Sequence, residues 1–251
     1  MANPSKLSVR AQKFLARAKR WRPSHTASES TSLLKRAGLP AFDSVLQAEE
    51  HFGGLRYEVR GSTGMDLGLF RDRRRPNGAM AYGPAAYKLN GVWYFDFATQ
   101  PSAPFDFRLC QSGTLYADTI PISSSIEKWI ESEAVLDELV DIQQNWRWIT
   151  FGQLARHNRQ SLQIPELEPI GEASDAFTSW WASKEFRLVR ATFWSYEQSA
   201  DYYWGFATTP EVARSWAHLL TPLLKLPYNP SIHSWPQRRE EVLPDWRPDE
   251  R

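Results

Sequence analysis

A chain of 251 residues, 42% apolar and 24% charged, is long enough to bury a core and suits one large domain or two small ones. Its single cysteine, Cys110, excludes an internal disulfide framework, and no apolar run approaches the ~18 residues of a membrane-spanning helix. The net charge of +1 is unevenly spread: residues 1–30 carry seven basic side chains and one acid, the remainder 23 basic and 28 acidic ones. A mildly acidic body behind a basic arm disfavours nucleic acid as the main partner. The arm lacks the hydrophobic stretch of a signal peptide, so the expected compartment is the cytoplasm.

Residues 6–22 have the spacing of an amphipathic helix, with Leu7, Ala11, Phe14, Leu15, Ala18 and Trp21 on one stripe and Lys and Arg opposite. A nucleic-acid arm, a membrane-surface helix and a presequence all fit that pattern. The expected role is plainer: a helix docked by its apolar stripe, its charges solvated. Arg22-Pro23 ends it, and Ser24 to Ser32 reads as a polar linker. Ser30-Thr31-Ser32 would cap a short helix, Leu33 to Ala37, closed by Gly38 in a left-handed conformation. A second helix follows through Phe42, Val45, Leu46 and Glu49 or Phe52, with Pro40 in its first turn. Gly53-Gly54 stops it, and Leu55, Tyr57 and Val59 alternate as a strand. Glu49, Glu50 and His51 are adjacent and so point in different directions, which suits a solvated face better than acid/base chemistry.

The glycines between residues 61 and 84 match neither a phosphate-binding loop nor a dinucleotide fingerprint. Short strands at Leu67–Phe70 and Ala79–Tyr82, joined by an exposed basic loop at Arg71-Asp72-Arg73-Arg74-Arg75, fit better, with a partner contact open to that loop. Asn90-Gly91 is a hairpin turn leading into Val92–Phe97, with Trp93, Phe95 and Phe97 on one face. Further strand runs are Phe105, Phe107, Leu109 and then Thr114-Leu115-Tyr116, in which Cys110 reads as a small buried hydrophobe. Ser123 to Ser125 lead into a helix running to about Asp141, whose outer side reads as acidic: Glu127, Glu131, Glu133, Asp137, Glu138 and Asp141. The early acids complement the helix N-terminus; Asp137, Glu138 and Asp141 sit where the dipole disfavours them, a small cost that suggests a use for the charge.

After residue 142 the chain changes character, holding nine of the twelve Trp beyond residue 140. Asn145–Ile149 reads as a strand or linker, Phe151–Asn158 as a helical turn, and Ala173–Trp181 as a short helix. Phe186 to Trp194 and Tyr202 to Phe206 read as paired strands, and Thr208-Thr209-Pro210-Glu211 as a helix start. The six prolines after Thr221 argue for an extended or disordered tail. The five histidines lie apart, and no nucleophile, metal-ligand or paired-carboxylate spacing emerges, so neither catalytic residues nor a cofactor or metal is expected.

Four stretches taken together, LLKRAGLPAFDSVLQAEEHFGGLRY, LNGVWYFDFAT, the F-x-F-x-L…GTLY pair and ISSSIEKWIE, resemble the SUKH superfamily. That group unites relatives of a fungal cell-wall regulator with bacterial immunity proteins of polymorphic toxin systems. The resemblance covers residues 30–140 and implies an α+β domain, a mostly antiparallel sheet of about six strands flanked by helices. It also implies a non-enzymatic protein that binds and blocks a cognate protein toxin. The chain then divides into a basic helix and linker (1–29), a SUKH-like domain (30–141) and an aromatic-rich αβ extension (142–251). The residues offered to the partner are Glu133, Asp137, Glu138 and Asp141 of the last helix, with Arg73 and Arg74 of the basic loop. The alternative is a glycan-binding or cell-wall-associated protein using exposed aromatics beyond residue 140; against it stands the tendency of Trp to build cores.

Overall fold

In the computed structural model the described residues are 7–59, 64–74, 80–100, 106–141, 147–155, 164–192, 200–224, 230–234 and 240–242. The chain forms two compact units, Met1–Asp137 and Glu138–Arg251. The fold class is α+β, and every described strand pair is antiparallel.

The first unit begins with helix α1 (Val9–Leu15), far shorter than the expected 6–22. Ser8 caps it, and Leu7, Ala11 and Phe14 are buried, as a docked apolar stripe requires. Seven residues cannot sustain a helix alone, so packing decides its length. Beyond Ala16 the chain leaves the helix, and β1 (Lys19–Arg20) pairs instead with the edge of β2 (Leu55–Tyr57). Trp21 is thereby left 44% exposed, with the guanidinium groups of Arg22 and Arg56 over its ring at 4.5 and 4.7 Å.

Helix α2 (Ala27–Arg36) starts six residues earlier than the Leu33 that capping at 30–32 would give. The reason is a capping box: Glu29 Oε2 accepts from the Thr26 N–H at 2.8 Å, while Thr26 Oγ1 accepts from the Glu29 N–H. That bond to Thr26 holds the Glu29 carboxyl below its ordinary range. Ser30 falls inside the helix and is buried. Gly38 ends it at φ +71, with Leu39 N–H donating to Leu34 O and Gly38 N–H to Lys35 O. Helix α3 (Asp43–Phe52) buries Val45, Leu46, Ala48, Glu49 and Phe52.

The first sheet collects β1, β2, β3 (Met65–Leu67), and, after an intervening ribbon, five strands in a meander. The ribbon is β4 (Arg71–Arg74) paired with β5 (Met80–Gly83). Arg71–Arg74 of the basic run expected as a loop are therefore a strand, and Arg71 is buried. Leu69 and Phe70, expected in a strand, are buried in the bend that follows Gly68. Next come β6 (Ala86–Leu89), β7 (Val92–Thr99), β8 (Phe107–Cys110), β9 (Leu115–Ala117) and β10 (Ile120–Ser123). The order is β1-β2-β3-β7-β8-β9-β10, with β6 also on β7: eight strands where about six were expected. Asn90 (φ 50) and Gly91 (φ 84) both turn left-handed, which the tight β6–β7 hairpin requires. Helix α4 (Ile126–Asp141) closes the unit. One face of the sheet, carrying Phe95, Phe97, Phe107, Leu109 and Leu115, is buried. It meets Phe42 at the start of α3, 6.0 Å from Phe95, and Trp129 of α4, 6.0 Å from Phe107.

The second unit is a seven-stranded sheet: β11 (Arg147–Ala155), β12 (Glu168–Pro169), β13 (Thr178–Ala182), β14 (Phe186–Ala191), β15 (Ala200–Ala207), then β16 (Ser231–Ser234) and β17 (Glu240–Val242) after helix α5 (Pro210–Leu223). The order is β12-β13-β14-β15-β11-β16-β17. Two expectations are corrected. Phe151 to Ala155 continue β11 rather than turning helical, because they pair along β15. Residues 173–181 make only a short 3-10 turn, Gly171–Ala173, and then strand β13, where buried Thr178 and Trp180 alternate. Thr209 caps α5 with Pro210 at the first position, as its sequence indicates. Ile149, Phe151, Phe186, Leu188, Trp216 and Leu220 form the core, with the Phe186 and Trp216 rings stacked at 4.7 Å. No helix among the described residues is long and apolar enough to cross a membrane.

Candidate functional site

In β7, β8 and β9 the residues between the core positions point to the other face of the sheet. There, register sets Tyr87 opposite Tyr94, Tyr94 opposite Cys110, Asp96 opposite Arg108, and Arg108 opposite Tyr116. The Tyr87 and Tyr94 rings stack at 5.3 Å, and Tyr116 meets Tyr94 edge-on at 5.2 Å. Arg108 lies over Tyr87, its Cζ 5.0 Å from the ring centre. Its guanidinium donates to Asp118 at 2.9 Å and Asp106 at 3.2 Å, and reaches Asp96 at 3.4 Å. Desolvation opposes the charge on Arg108, but Tyr87 and the three aspartates outweigh it and hold the group more firmly protonated than usual. The Tyr116 hydroxyl is pushed up to about 12, first by burial and then by Cys110 and Tyr94, so it stays a neutral donor. Cys110 is buried beneath this face, its Sγ 2.9 Å from Ser112 Oγ. The three tyrosines, Asp96 and Arg108 are half-buried, whereas the Asp106 and Asp118 side chains are 57% and 62% exposed. Tyr and Arg held rigid on a sheet are the side chains that dominate protein interfaces.

The residues expected to meet a partner are differently placed. The acidic outer face of α4 is corrected: Asp137 is 5% exposed and ion-pairs with Arg17, just beyond α1. Glu131 is also buried, and its two oxygens accept from the N–H and Oγ of Ser8, both at 2.6 Å. These acids dock the N-terminal segment. Glu133, one turn before Asp137, is half-buried and pushed up to about 8, by desolvation first and by the Asp137 charge second. Glu138 is exposed. Asp141 ends α4, and Arg73 and Arg74 stand in β4, but those three side chains lie outside the described residues, as does Arg75. Spacing carried a signal for one inward acid: Ile126, Ile130, Ala134 and Asp137 recur at three and four along the buried stripe. Of the Trp residues proposed as sugar platforms, Trp180 and Trp216 are buried.

Glu49 is the second correction. Expected on a solvated face, it is 2% exposed at the end of α3. One oxygen accepts from the Leu69 N–H at 2.6 Å, and the other lies 3.4 Å from His25 Nδ1. Burial raises its carboxyl above the ordinary range, against the pull of the Leu69 N–H, His25 and Arg22. Arg20 donates to the carbonyls of Gly53 and His51 at the same helix end, where a cation complements the dipole. Glu49 therefore ties α3 to the chain before β4 and to the N-terminal segment. Replacing it with Ala strands a buried donor and costs roughly 2 kcal/mol or more; Glu49→Gln, which keeps an acceptor for Leu69, costs less. Urea denaturation of both variants checks this ordering, and an alanine variant as stable as the parent contradicts it.

Among the described residues no group of three or more His, Cys, Asp or Glu is gathered as a metal site. No family model, curated protein or solved structure matches this chain.

Proposed function

We propose that the chain is an immunity-type binding protein that seizes a protein toxin and covers its active site without catalysing a reaction. The observation that carries this reading is the open face of the first sheet, where Tyr87, Tyr94 and Tyr116 surround a pinned Arg108. Rigid aromatic rings give contact area at little entropic cost, and a guanidinium already fixed by three carboxylates needs no reorganisation on binding. The resemblance of residues 30–140 to the SUKH superfamily supplies the class of partner. Occlusion requires the inhibitor to be stoichiometric and tight, with encounter quickened by opposite charge.

The test is survival. Cells expressing the toxin encoded beside this gene should die alone and grow normally when the chain is co-expressed. A folded, abundant chain that gives no protection overturns the proposal.

A further inference from the structure

We propose that the occupant of this sheet face is a cationic segment of the partner, arginine or lysine side chains on an exposed loop or cleft rim. The inference rests on the binding-protein reading and names the chemistry that reading leaves open. Among the described residues, Asp96, Asp106 and Asp118 stand around the face against the single cation Arg108, so this cluster is net negative. Arg108 cannot serve an acidic partner: all three carboxylates and the Tyr87 ring hold it, and its side chain is 17% exposed. Lys88, the nearest other cation on these strands, alternates with Tyr87 and so belongs to the opposite side. What the surface presents outward is the carboxylates of Asp106 and Asp118 and the rings of Tyr94 and Tyr116. Ring faces carry the negative end of the aromatic quadrupole, and the Arg108–Tyr87 contact already shows a guanidinium seated on one of them. A second guanidinium or ammonium arriving from solvent meets the same two elements, an aromatic face and an acceptor pair.

The experiment uses the full chain, isotope-labelled, titrated at low salt with nona-arginine, nona-lysine and nona-glutamate peptides while backbone amide shifts are followed. Both cationic peptides should move the amides of Tyr87, Tyr94, Asp96, Arg108, Tyr116 and Asp118, and nona-glutamate should move none of them. The double variant Asp106→Asn/Asp118→Asn should weaken nona-arginine binding about fivefold. Both side chains are largely exposed, so the fold should be unaffected. Shifts mapping to another surface, binding of nona-glutamate here, or no binding at all overturns the inference. The two proposals fail separately. If wild-type chain gives no toxin protection while cationic peptides map to this face, the immunity reading falls and the cationic site stands. If protection is complete and the peptides map elsewhere, the reverse holds.

Discussion

Gly54→Ala should destabilise the first unit by roughly 3–5 kcal/mol, the sum of a forced left-handed backbone and a backbone clash. Gly54 has φ +74, and a Cβ there would lie 2.1 Å from the Arg22 carbonyl oxygen. Neither partner can retreat easily. The Gly54 N–H donates to Leu67 O at 2.9 Å and its carbonyl accepts from the Trp21 N–H at 3.1 Å, so the residue holds three segments together. Gly91→Ala is the control: its φ of +84 is as demanding, but nothing lies within 4 Å of the added Cβ. That variant should lose only about 1 kcal/mol, from backbone strain alone. Thermal melts of both variants would separate strain from crowding, and equal losses would contradict the close approach of the N-terminal segment to Gly54.

Glu133→Gln should change how stability depends on pH. In the unfolded chain this carboxyl titrates near 4.5; in the fold it titrates at about 8. Between those values the folded state keeps a proton that the unfolded state has lost, so stability falls as pH rises through the window and levels above it. Glutamine mimics the protonated form at every pH. The variant should therefore match the parent near pH 4, and exceed it increasingly from about pH 5 to 8, with the full gap by about pH 9. Urea midpoints at three pH values decide the matter; parallel curves would mean that Glu133 is solvated.

Much of the scaffold was legible in local chemistry. Asn90-Gly91, the Gly38 stop, the Thr209-Pro210 start and the Val92–Phe97 alternation all mark positions where a backbone angle or a cap leaves few choices. The N-terminal strand was not legible, because Lys19-Arg20 has no strand character of its own and pairs only because β2 offers an edge. Glu49 was hidden for a related reason. A buried acid looks like a solvated one until the Leu69 N–H and His25 arrive from elsewhere in the chain. The tyrosine face lay between. Tyr94, Arg108 and Tyr116 each sit out of phase with the core residues beside them, which alternation reveals. Their meeting depends on the register of the β6-β7-β8-β9 meander, which alternation within a single strand does not set.

The tyrosine face of the first sheet is proposed to bind a protein partner. Calorimetric titration of the purified chain with the proposed toxin partner tests this most directly, with Tyr94→Ala/Tyr116→Ala run in parallel. The expected dissociation constant is of about nanomolar order for the parent, weakened about 100-fold or more in a double variant that still folds. A parent that releases no heat of binding, or a variant that binds as tightly as the parent, would contradict it.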